Sequence, residues 1–212
     1  MRVVDVFPTM QGEGSLTGTP AIFVRFAGCN LWSGHEDKRA VGRGDCADWC
    51  DTYFAYGDTY TPDELLAKVV GVASGERLVV LTGGEPVLQL RRHDGRAFIA
   101  LLRNAGMRVA VETNGTTSLD GLTFDHVTAL RGSLSLDHIK VREGTDLKVI
   151  VPQPLPWAAM TEAKGWRFTH RFLQPMDVDG GDCVQGALDT LALARAHGWR
   201  VSLQSHKHVR LP

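Results

Sequence analysis

Two short apolar runs, Leu78-Val79-Val80-Leu81 and Val109-Ala110-Val111, flank a helical stretch around Ala97 to Ala105 that Gly106 closes. This is the pattern of a β-α-β unit: parallel strands need a crossover helix, and their burial on both faces makes them continuous apolar runs rather than alternating ones. The pattern therefore predicts an α/β fold. Val3 to Phe7 and Ala21 to Phe26 read as earlier strands, and Leu147 to Val151, Phe172 to Gln174 and Val201 to Leu203 as later ones. Thr61-Pro62-Asp63-Glu64 sets a capping hydroxyl before a proline and two acids, so a helix is predicted from about Pro62 to Ala73. Further helices are expected near Ala158 to Ala163 and Ala187 to His197. From Leu119 to Thr145, polar residues and glycines interrupt every period, and no element is assigned. With 212 residues, 43% of them hydrophobic, the chain has material for one sizeable core, and a single domain over residues 1–212 is expected.

The formal charge of -1 comes from 23 basic and 24 acidic residues without a long block of either sign, so neither nucleic acid nor a membrane surface is an expected partner. The first residues, Met1-Arg2-Val3-Val4-Asp5-Val6, lack the apolar run of a signal peptide, and a cytoplasmic protein is expected. Thiols stay reduced there. Four cysteines, three of them between positions 29 and 50, then read as ligands rather than as disulfides.

Four polar segments follow predicted strands: Cys29-Asn30, Thr82 to Pro86, Glu112-Thr113-Asn114-Gly115 and Gln174-Pro175-Met176-Asp177. In a parallel sheet the C-terminal strand ends gather at one side, where active sites are built, so these distant motifs are expected to converge. Three thiolates from Cys29, Cys46 and Cys50 suit a [4Fe–4S] cluster whose fourth iron stays open for the amino and carboxylate groups of S-adenosylmethionine (SAM). The competing reading is a structural zinc site with His35 as fourth ligand. Gly83-Gly84-Glu85-Pro86 after an apolar strand shifts the balance toward the cluster, because glycines admit a ligand against the backbone and a carboxyl accepts hydrogen bonds from an ammonium. Cys183, far downstream before a predicted helix, reads as a small apolar filler.

Met10-Gln11-Gly12-Glu13-Gly14, Arg25-Phe26-Ala27-Gly28-Cys29-Asn30-Leu31-Trp32-Ser33-Gly34, Cys50-Asp51-Thr52 and Leu203-Gln204-Ser205-His206-Lys207-His208, taken with the segments above and Asp146-Leu147-Lys148-Val149, resemble the 7-carboxy-7-deazaguanine synthase family of radical SAM enzymes. The resemblance spans nearly the whole chain. It implies an incomplete (βα) barrel of the radical SAM type, and a magnesium-dependent rearrangement of 6-carboxy-5,6,7,8-tetrahydropterin to 7-carboxy-7-deazaguanine. Ammonia is lost, SAM is regenerated, and the product enters 7-deazapurine and queuosine biosynthesis.

By the family's pattern, Trp49, Gly84, Gln174, Pro175, Met176 and Asp177 contact SAM, and Thr52 ligates magnesium. Met10, Gln11, Gly12, Arg25, Thr82 and the Pro212 carboxylate correspond to pterin-binding positions. A homodimer and an electron donor such as flavodoxin or ferredoxin are implied as well. The chain departs from the pattern in three places. Sixteen residues separate Cys29 from Cys46 and three separate Cys46 from Cys50, where the family's last gap is usually two. A Ser-Pro-Lys that contacts SAM is replaced by a stretch in which Thr128 supplies the only hydroxyl, and Tyr53 stands where an Asp often follows the magnesium Thr. The runner-up activity is that of a glycyl-radical activase, and a zinc-stabilised binding module is the alternative from another class.

Overall fold

A computed structural model describes residues 1–35, 37, 46, 50, 52–131, 138–152, 165–176 and 183–211, with backbone alone at 130, 131 and 183. The strands are β1 (Arg2–Met10), β2 (Pro20–Phe26), β3 (Asp58–Thr59), β4 (Leu78–Gly83), β5 (Arg108–Thr113), β6 (His126–Arg131), β7 (Glu143–Val151), β8 (Arg167–Pro175) and β9 (Arg200–Val201). The helices are α1 (Pro62–Val72), α2 (Val87–Leu90), α3 (His93–Asn104), α4 (Cys183–His197) and α5 (Ser205–His208), with a 3₁₀ turn at Gly14–Leu16.

Among the described residues the strands form one sheet in the order β3-β1-β2-β4-β5-β6-β7-β8-β9. Every pair from β2 to β9 is parallel, and β1 runs antiparallel to β2 and β3. The sheet does not close on itself, which is the open, incomplete-barrel α/β architecture expected. None of the described helices is long and apolar enough to cross a membrane.

The two faces of the sheet separate by the period of two. Ile22, Val24 and Phe26 of β2, Val79 and Leu81 of β4 and Val109 and Val111 of β5 pack against Leu65, Val69, Val87, Leu90, Phe98 and Leu102 of the first three helices. Leu147, Val149 and Leu173 continue that layer toward Ala194 and Trp199. On the other face Ala21, Leu78, Val80 and Ala110 make a small apolar floor with Leu16 and Phe23. Further along β2, β4 and β5 that face becomes polar, with Arg25, Thr82 and Glu112, joined by Lys148 of β7 and Gln174 of β8. The apolar floor closes one end and leaves the polar end open for chemistry.

The α1 start forms as expected: Thr61 accepts from the Glu64 backbone at 3.3 Å while Glu64 accepts from the Thr61 backbone at 2.8 Å, a capping box of about 1 kcal/mol. Strand β6 arises where no element was assigned. Its Val127 and Ala129 pack outward, but the alternate His126 and Thr128 are buried against polar partners, so the segment has no apolar run to read. The helix expected near 158–163 lies outside the described residues.

Candidate active site

The C-terminal ends of the parallel strands deliver their polar residues to a cavity of about 390 Å³. Cys29, Cys46, Cys50 and Thr52 reach its wall, as do Gln11, Arg25 and Thr82, and also Gly84, Gln174, Pro175 and Met176. Distant motifs therefore converge as expected. Met10, Gly12 and Thr128 do not line the cavity. Met10 pairs with Pro20 in the β1–β2 ladder, and Thr128 is buried between Glu112 and Asp146 in the sheet register. Gly12 lies under the C-terminal segment: its carbonyl accepts from the Ser205 backbone at 3.0 Å and from Ser205 Oγ at 2.9 Å. A Cβ on Gly12 would stand 2.0 Å from His206 Nδ1, so only glycine fits beneath α5. Trp49, Asp177 and Pro212 lie outside the described residues.

None of the three cavity cysteines is in a disulfide. They share a wall without converging to ligand spacing: among the described residues no three His, Cys, Asp or Glu side chains are close enough to hold a metal ion. Three thiols opening on one cavity are nonetheless the donor set an iron–sulfur cluster takes. Burial pushes the Cys29 thiol up, and the nearby Glu85 adds to the effect.

The Gly83-Gly84 turn is built for the cysteine loop as much as for a ligand. Gly83 has a φ of 122°, and a Cβ there would meet the Phe26 carbonyl at 2.3 Å. A Cβ on Gly84 would meet the Gly28 carbonyl at 2.2 Å. With the Gly84 N–H donating to Phe26 and the Glu85 N–H to Gly28, at 3.1 and 2.8 Å, the two loops lie backbone to backbone. Glu85 itself corrects the expectation that this turn's carboxyl meets a ligand ammonium. It is fully buried, accepting from Thr113 Oγ1 at 2.8 and 2.9 Å and from the backbones of Asn114 at 2.7 Å and Val87 at 3.0 Å. Burial raises its pKa to about 7 against those hydrogen bonds.

At the centre of the polar face the Lys148 ammonium pairs with Glu13 and stands 3.7 Å from Glu112. Burial alone would push Lys148 down, but the carboxylates of Glu112 and Glu13 reverse that and hold it above the ordinary lysine range. Glu13, which burial would push up, is held below the usual carboxylate range by the same ammonium. Gln204 donates to Glu13 at 2.9 Å, while Gln11 and Thr82 donate to Glu112 at 3.0 and 3.1 Å. Behind them Asp146 accepts from the Ser15 backbone and hydroxyl at 2.8 Å and contacts His126 at 3.3 Å, fixing the turn that carries Glu13.

No family model matches the chain. Proteins named 7-carboxy-7-deazaguanine synthase from Burkholderia multivorans and Caulobacter vibrioides are 36% and 38% identical to it, each across 99% of this chain and 98% of their own length. The chain belongs to the 7-carboxy-7-deazaguanine synthase family. A further member, from Bradyrhizobium diazoefficiens, is 37% identical over 98% of the chain and 97% of its own length. The crystal structure of QueE from Escherichia coli has the same architecture, with a TM-score of 0.67 at 25% identity over 97% of this chain and 94% of that one. The family is one of enzymes, and the resemblance read from the motifs is the membership that these relatives establish.

Sequence reasoning assigned no role to Glu13, Glu112, Asn114 or Lys148, although each stands in one of the motifs named above. Lys148 carried a signal: it is the one charge in Leu147-Lys148-Val149-Ile150-Val151, where a lone cation inside a buried strand requires a counter-charge.

Proposed function

We propose that this protein is a radical SAM, magnesium-dependent 7-carboxy-7-deazaguanine synthase, a carbon–nitrogen lyase. It converts 6-carboxy-5,6,7,8-tetrahydropterin to 7-carboxy-7-deazaguanine with release of ammonia, in 7-deazapurine and queuosine biosynthesis. The observation that carries this reading is one cavity with three cysteines on its wall and, beside them, the cation of Arg25 and the fixed carboxylate of Glu112. Cys29, Cys46 and Cys50 would hold a [4Fe–4S] cluster. Gly84, Gln174, Pro175 and Met176 would contact SAM, with Trp49 and Asp177, and Thr52 would ligate magnesium; Thr128, buried in β6 and off the cavity wall, would support SAM from behind rather than touch it. When bound, the cluster and SAM supply hydrogen-atom abstraction, which no side chain here performs.

The chain's own residues bind and orient. Arg25 Nε is buried with no acceptor among the described residues, and its guanidinium lies 5.2 Å from the Phe7 ring centre. A held, under-used guanidinium is a two-point clamp for a substrate carboxylate. Glu112, 3.7 Å from the Lys148 ammonium and oriented by Gln11 and Thr82, is an acceptor for the N–H groups of a pterin. Met10 and Gly12 would support that end from behind, and the Pro212 carboxylate would accept from the pterin. Trp32 and Phe54, edge to face at 5.7 Å, and Ile150 give the cavity an apolar wall that excludes water. Residues 1–212 act as one radical SAM domain, in a cytoplasmic homodimer reduced by a donor such as flavodoxin or ferredoxin.

The test is turnover by anaerobically reconstituted protein given SAM, magnesium, a reductant and carboxytetrahydropterin. Formation of 7-carboxy-7-deazaguanine with one ammonia per product, and no net loss of SAM, is the expected result. Cluster-loaded protein that leaves the pterin unchanged would refute the reading.

A further inference from the structure

Asn114 follows β5 and has no part in the reading above, yet every hydrogen-bonding group of its side chain is committed. Its Oδ1 accepts from the Thr116 backbone at 3.0 Å and from Thr116 Oγ1 at 2.7 Å. Two donors on that side fix which end of the amide is oxygen and turn Nδ2 the other way. The two Nδ2 hydrogens meet Asn30 Oδ1 at 3.0 Å and Cys29 Sγ at 3.8 Å. Asn30 in turn donates to Thr116 Oγ1 at 2.8 Å, closing a small ring of bonds. The Asn114 backbone is held from below by buried Glu85, which also binds Thr113. The amide is thus fixed at both its main chain and its side chain, and it points at a cysteine sulfur.

We propose that Asn114 is a positioning residue for Cys29, its amide N–H orienting the sulfur and raising the reduction potential of the cluster that sulfur would hold. The inference rests on the reading of the three cysteines as cluster ligands. Hydrogen bonds to cluster sulfurs favour the reduced, more negative state, and the groups that orient ligands tune the metal as well as the geometry. The arrangement also gives the Gly-Gly-Glu-Pro turn a second role, since Glu85 ties the β4 and β5 loops to the cysteine loop, with Asn114 as the last link.

The test compares reconstituted wild type, Asn114→Ala and Thr116→Val by iron and sulfide content and by a redox titration followed by EPR. Asn114→Ala loses the N–H donor, whereas Thr116→Val keeps it and loosens only its tether. The expected result is wild-type iron in both variants, with the Asn114→Ala reduction equilibrium weakened roughly tenfold, a shift of about 59 mV to more negative potential for one electron, and a near wild-type potential in Thr116→Val. An unchanged potential in loaded Asn114→Ala overturns the inference, and so does an equal shift in Thr116→Val, which would mark general loosening of the loop. If Asn114→Ala does not load, the uncharged, near-isosteric Asn114→Leu, which removes the donor without adding charge, decides by the same measurement. Wild-type protein that takes up no iron and sulfide would instead overturn the cluster reading beneath it.

Discussion

Replacing Lys148 with methionine keeps the length of the side chain and removes the one cation between Glu13 and Glu112. The Lys148 side chain is 2% exposed and its partners 14% and 19%, so water does little to replace the lost charge. Breaking a buried pair by deleting one partner costs about 3–5 kcal/mol. For a chain of this size that lowers Tm by roughly 6–20 °C. The pH dependence has a definite sign. In the native protein Glu13 is held below its usual range, so its contribution is present above the unfolded pKa and is lost as pH falls through the folded one. Without Lys148 burial dominates and raises Glu13, and the variant then loses stability as pH rises. Thermal unfolding of the apo protein, followed by circular dichroism, should show a larger gap from wild type at about pH 8 than at about pH 5. Adding Glu13→Gln should recover part of the loss by removing the stranded charge. A Lys148→Met Tm within about 1 °C of wild type at both pH values would refute the buried-pair argument.

Glu85 titrates in the opposite sense: its folded pKa of about 7 lies above the unfolded 4.5, so its contribution is full below 4.5 and is lost as pH rises through 7. Urea unfolding should show about 3 kcal/mol of this loss across that window in wild type, and a flatter profile in Glu85→Gln. Gly12→Ala forces a Cβ against His206, whose backbone N as well as its ring stands within 2.7 Å. It should speed proteolysis of the C-terminal segment and weaken pterin binding while leaving iron content unchanged. Arg25→Lys replaces the two-point fork with a point charge, and should raise the pterin KM about ten- to a hundredfold, the equivalent of 1.5–3 kcal/mol.

The α/β class was legible because parallel strands are buried on both faces: Leu78 to Leu81 and Val109 to Val111 are continuous apolar runs, and the Thr61 cap and Gly106 stop mark the helix ends. The motifs after strands located the cavity wall through topology alone. Strand β6 was hidden because His126 and Thr128 on its polar face lie beside polar groups supplied from elsewhere in the chain. Residue roles were hidden for the same reason. Glu85 reads as a ligand-facing carboxyl until Thr113 and Asn114 are seen to surround it, and the packing of α5 onto Gly12 has no sign in the sequence around either. Pairings across 101 residues, as between Gln11 and Glu112, leave no mark in any local window.

The most direct measurement is the iron, sulfide and zinc content of anaerobically reconstituted protein, with EPR of the reduced state before and after SAM. Three thiols on the wall of a cavity of about 390 Å³ predict a [4Fe–4S] cluster whose spectrum should change when SAM is added. Cys29→Ala, Cys46→Ala and Cys50→Ala should each abolish it, and Cys183→Ala should leave it intact. Wild-type protein that holds zinc and no iron, or a cluster whose spectrum ignores SAM, would contradict the account.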